Sequence, residues 1–126
     1  MSNIHDHDIL FTKSGDKLYI DLECGYGQPC VTTVHLKKTH GGSEELLSFD
    51  NNATQKVIGS ISKVKYNSLD IHTTIQDIRD SDTEKEDISL KIKVYDTDTN
   101  FVDTSFTLKT KGKGTLFHSF YLVTIL

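Results

Sequence analysis

The best helix former is nearly missing from this chain: among 126 residues there is one alanine (Ala53), and methionine also occurs once (Met1). That scarcity argues against a helical bundle. Proline occurs once, at Pro29. No apolar run approaches the ~20 residues that a membrane-spanning helix needs. The opening MSNIHDHDILF has neither a basic n-region nor a long apolar h-region. The expectation is therefore a soluble chain, cytoplasmic by default, although leaderless export or a mature secreted chain would read the same. Basic excess is also lacking. Lys and Arg number 14 against 18 Asp and Glu, a formal net charge of −4, so nucleic acid is not the expected partner. No GxSxG, HExxH or phosphate-binding glycine loop occurs, so no enzymatic activity is expected.

Strand formers are abundant. Val, Ile and Thr supply 33 residues, and apolar residues recur at every second position in several stretches. In Asp87–Tyr95, Ile88, Leu90, Ile92 and Val94 alternate with Ser89, Lys91, Lys93 and Tyr95. Leu69, Ile71, Thr73 and Ile75 do the same, as do Leu18, Ile20, Leu22 and Cys24, and then Cys30, Thr32, Val34 and Leu36. Turn signals separate these runs at Ser14–Asp16, Gly25–Pro29, His40–Gly42, Asp50–Asn52 and Gly112–Gly114. The pattern predicts an all-β chain: an antiparallel β-sandwich of seven to nine strands, immunoglobulin-like or jelly-roll in general architecture. One short helical turn is expected at Glu44–Phe49 with Ser43 as its N-cap. The length suits a single domain spanning 1–126, with residues 1–8 a frayed polar tail. His5-Asp6-His7-Asp8 within that tail is read as polar chain end rather than as a divalent-metal site.

The two cysteines, Cys24 and Cys30, flank a five-residue turn. If the strands on either side form a hairpin, a bridge across its mouth is geometrically feasible. Two free thiols are the expectation for a reducing compartment. A zinc site is not, because it needs about four ligands.

Three features qualify as sites. The segment Asp77–Asp87 holds six acids and two bases, which accounts for the whole negative excess of the chain. Asp80, Asp82, Glu84 and Glu86 either form a solvated loop or meet a basic partner. The C-terminal stretch is apolar on both faces: Leu116, Phe120, Leu122 and Leu126 on one, Phe117, Tyr121, Val123 and Ile125 on the other. A strand of that kind must be covered twice, either within its own domain or with Phe117, Tyr121, Val123 and Ile125 meeting another chain. Together with exposed sheet edges, these features point to a non-catalytic binding or assembly module acting through protein–protein contacts.

The third feature is Val94-Tyr95-Asp96-Thr97-Asp98 followed by Asp103. It is similar to the third calcium loop of the membrane-binding domains of the synaptotagmin and protein kinase C type, over about ten residues. The resemblance implies calcium held by Asp96, Asp98 and Asp103, with lipid, or in a wider reading glycan, as the ligand. The competing reading is a hairpin turn, since Asp, Asn and Thr hydrogen-bond their own backbone there. Calcium requires six to eight oxygens. In a simple meander of strands 69–78, 88–95 and 104–110, the acidic segment and the Asp96–Asp103 loop would lie at opposite ends, roughly 26 Å apart. Tyr66-Asn67-Ser68 would join Asp96 instead.

Overall fold

The computed structural model describes the backbone of residues 2–9, 17–24, 29–76, 87–96, 101–109 and 116–126, and side chains within 17–24, 29–76, 90–96 and 118–126. Nine strands and one helical turn follow in order among these residues: β1 (Ser2–Ile9), β2 (Lys17–Cys24), β3 (Cys30–Lys37), β4 (Ser43–Asp50), β5 (Ala53–Ser60), α1 (Ile61–Val64), β6 (Ser68–Gln76), β7 (Asp87–Tyr95), β8 (Phe101–Lys109) and β9 (Leu116–Ile125). They form two sheets, β1-β9-β6-β3-β4 and β5-β2-β7-β8. The β-sandwich expected from the alternation is what the chain builds. No described helix is long and apolar enough to cross a membrane.

Every second side chain of the central strands points between the sheets. Leu18, Ile20 and Leu22 of β2 and Leu90, Ile92 and Val94 of β7 come from one sheet. Val34 and Leu36 of β3, Leu69, Ile71 and Ile75 of β6, and Tyr121, Val123 and Ile125 of β9 come from the other. All of these are at most 2% exposed. Each such apolar side chain contributes about 1.5–3 kcal/mol by leaving water. Thr32 and Thr73, both 0% exposed, sit opposite each other in this apolar interior. Their hydroxyls hydrogen-bond at 3.0 Å, which offsets the cost of taking them out of water.

Four expectations need correction. First, residues 2–8 of the expected tail are not loose chain. They fall in β1, which pairs with β9 in parallel from Ser2↔His118 to Ile9↔Ile125, so the five-stranded sheet is not antiparallel throughout. Second, 44–49 is not helical. It lies in β4, whose pairing with β3 shifts register after Val34. That irregularity leaves the adjacent Leu46 and Leu47 both packed against the core, which breaks the period-2 pattern that would have revealed a strand. The helical turn is instead α1, which seals one end of the core with Ile61 and Val64, both 0% exposed.

Third, β2 and β3 are not a hairpin. They belong to different sheets, and the Cys24–Cys30 disulfide ties one sheet to the other. Free thiols are therefore not what the structure shows. Asn51 and Asn52 hold this corner, because the Oδ1 atoms accept the amides of Cys30 at 3.3 Å and Cys24 at 2.9 Å. Asn51 sits at φ 61°, a region that asparagine tolerates.

Fourth, β6 and β7 do not pair. The link carrying the acidic segment crosses from one sheet to the other, while β7 and β8 do form a hairpin.

Candidate functional site

The strand directions place the chain's polar features at known ends. Cys24 pairs with Leu90 and Cys30 with Ile75, so the β6–β7 link leaves from the disulfide end. Tyr95 pairs with Tyr19 and Lys37 with Ser68, which puts Asp96 at the far end with Tyr66 and Asn67. Gln76 and Asp87, the strand ends that flank the acidic segment, thus lie at the opposite end from Asp96, in different sheets.

The Asp96 end is built around α1 and the β3–β4 turn. Gly41 and Gly42, at φ 93° and 87°, let the chain reverse there. The Asn67 Oδ1 atom accepts the Thr39 amide at 3.1 Å, and Ile125 donates its amide to the Asn67 carbonyl at 2.9 Å. Glu44 bridges Lys38 and Lys63. The Lys63 hydrogen bond is the main reason its carboxyl lies below the usual range. Asp96 is only 4% exposed, engaged beside Tyr19, Gln55 and Tyr95. Asp98 lies outside the described residues, and for Asp103 only the backbone, paired with Lys93, is described. The structure thus brings no set of three carboxylates together for calcium among the described residues.

The other candidate residues divide sharply. Asp80, Asp82, Glu84 and Glu86 lie outside the described residues, as does the side chain of Phe117. Tyr121, Val123 and Ile125 are 1%, 0% and 0% exposed. They cannot meet a partner in the folded chain, because they fill the space between the sheets. The surface of β9 is its opposite face, where His118, Phe120, Leu122 and Thr124 are half-buried.

This outer face carries a constellation that sequence reasoning missed. β6 pairs with β9 so that His72 faces Phe120 and Thr74 faces His118. The His72 ring stacks on Phe120 with centroids 4.3 Å apart and planes 6° from parallel. His72 Nε2 lies 3.2 Å from His118 Nδ1. The Thr74 hydroxyl is 3.3 Å from His118 Nδ1 and 3.5 Å from His72 Nε2. Burial holds His72 below the ordinary histidine value, and His118 and His35 push in the same direction while Asp70 opposes them. Asp70 in turn pairs with Lys37 at 3.6 Å and faces His35 across β3. Read along the chain, His72 and His118 are simply dispersed. Only the β6–β9 register makes them neighbours.

No family model matches the chain, and no curated protein or solved structure matches it either.

Proposed function

We propose that the chain is a non-catalytic assembly module that binds a second copy of itself through the outer face of the five-stranded sheet. The observation behind this reading is the half-buried Phe120 and Leu122 on a central strand, pointing away from the core. Val31 of β3 and Leu126 after β9, 48% and 47% exposed, extend apolar surface towards opposite ends of that sheet. A face with apolar and imidazole groups at its centre and charges towards β3 and β4 has the layout of an association surface. The acidic segment, a second surface read from the sequence, lies outside the described residues.

Light scattering over a concentration series tests the proposal. The wild-type mass should rise above the 14.2 kDa of one chain. Leu122→Glu, which places a charge at the centre of the face, should hold the mass at one chain with an unchanged far-ultraviolet spectrum. A wild-type mass of one chain up to ~1 mM would leave room only for contacts weaker than about 4 kcal/mol, and the reading would fall.

A further inference from the structure

The pair His72 and His118 has geometry that the assembly reading does not use. His72 Nε2, His118 Nδ1 and Thr74 Oγ1 form a triangle with sides of 3.2, 3.3 and 3.5 Å. Two metal–nitrogen bonds of about 2.0–2.1 Å meeting at the tetrahedral angle separate their nitrogens by about 3.4 Å. The triangle therefore has the dimensions of one face of a tetrahedral coordination shell. We infer that this face of the sheet is a divalent transition-metal site, with His72 and His118 as its ligands and the Thr74 hydroxyl as a weaker third donor.

The surroundings suit that role. Both imidazoles stand on paired central strands, and the Phe120 ring under His72 fixes one of them, so little freedom is lost when an ion binds. Imidazole nitrogen selects zinc, copper or nickel over calcium or magnesium, which want oxygen. Metal ligation needs neutral rings, and burial of His72 favours its neutral form. Starting from two neutral rings, ligation needs only a change of tautomer. The ring nitrogen that now donates in the His72–His118 contact gives its hydrogen to solvent, and the same ring takes one up at its other nitrogen. Asp70, ion-paired with Lys37, and His35 lie farther along the same face as further polar groups. No third His, Cys, Asp or Glu completes the set among the described residues. The ion would accordingly keep open positions for water or for a donor from outside the chain.

The inference does not rest on self-association, and its test separates the two. Calorimetric titration of the full chain with zinc and with copper(II) in metal-free buffer at pH 7.5 should show one ion bound per chain. His72→Ala and His118→Ala should each weaken that binding at least tenfold, and Thr74→Val should weaken it less. His118→Gln, which keeps a hydrogen-bonding group, serves if the alanine variant does not fold. Amide spectra with substoichiometric copper should broaden around residues 72–74 and 118–120. The Leu122→Glu variant should bind the metal as the wild type does, whatever its mass. Absence of binding would overturn the inference. So would affinity unchanged by both histidine substitutions, or broadening centred on His5 and His7.

Discussion

The two outer faces of the sandwich come from strands with the same alternation, yet they carry different chemistry. On the four-stranded sheet, Asp21 faces Lys93 and Glu23 faces Lys91 across β2 and β7. Tyr19 stacks on Tyr95 at 5.5 Å, the Tyr95 hydroxyl donates to Asp21 Oδ1 at 2.8 Å, and the Lys93 ammonium sits 5.1 Å from the Tyr95 ring centre. Tyr19, Tyr95, Asp21 and Lys93 are thus engaged within their own sheet, in contacts that water solvates well. At the centre of the five-stranded sheet, Phe120, Leu122, His72, His118 and Thr74 offer apolar area and two ring nitrogens instead. A sheet face built of matched opposite charges is finished on its own. One built of aromatic, aliphatic and imidazole groups is suited to an additional ligand.

The sharpest way to break this comparison is to test which side of the five-stranded sheet is inside. Ile71 is 0% exposed, so Ile71→Ala should cost about 2–5 kcal/mol in urea unfolding. Leu122→Ala on the opposite face should cost about 1 kcal/mol or less. Equal losses would mean that both faces are packed and that neither is a surface.

A smaller effect tests the tie between the sheets. Replacing Cys24 and Cys30 by serine removes a covalent closure of six residues' separation, which should lower stability by about 2 kcal/mol. Thiol titration of the unfolded, unreduced wild type should find no free thiol. Two titratable thiols would show that the sheets are held by packing alone.

The smallest effect sharpens the charged face. Tyr95 is raised to about 12, first by burial and then by its hydrogen bond to Asp21. A phenol whose folded value exceeds its unfolded value of about 10 stabilises the fold fully below pH ~10. That contribution disappears as pH rises from about 10 towards 12. Tyr95→Phe should therefore lose less stability over that interval than the wild type. Identical slopes would show that the Tyr95–Asp21 contact is not formed in solution.

Strands whose faces separate cleanly were legible from composition alone: Leu90, Ile92 and Val94 against Lys91 and Lys93 leave no other period. Three things were not, for distinct physical reasons. β4 hides its period behind a register shift. β1 is polar at most positions and takes its place by pairing with β9, which no local pattern encodes. The histidine pair depends on which strands are neighbours, and alternation fixes a strand's two faces without fixing its partners. Both rows of β9 are apolar in sequence, but Tyr121, Val123 and Ile125, expected to meet another chain, lie inside. Tyr121, Val123 and Ile125 go inside because that row, and not the Phe120 row, continues the inner faces of Ile71 and Val34 through direct pairing.

The parallel pairing of β1 with β9 also decides how this molecule would carry a load. Ser2 lies beside His118 and Ile9 beside Ile125, so the outermost points of the two strands are at opposite ends of the sandwich. Tension drawn between Ser2 and Ile125 slides one strand along the other. The hydrogen bonds of the ladder are then strained together, not peeled apart one at a time, and that is the arrangement in which a sheet resists stretching best.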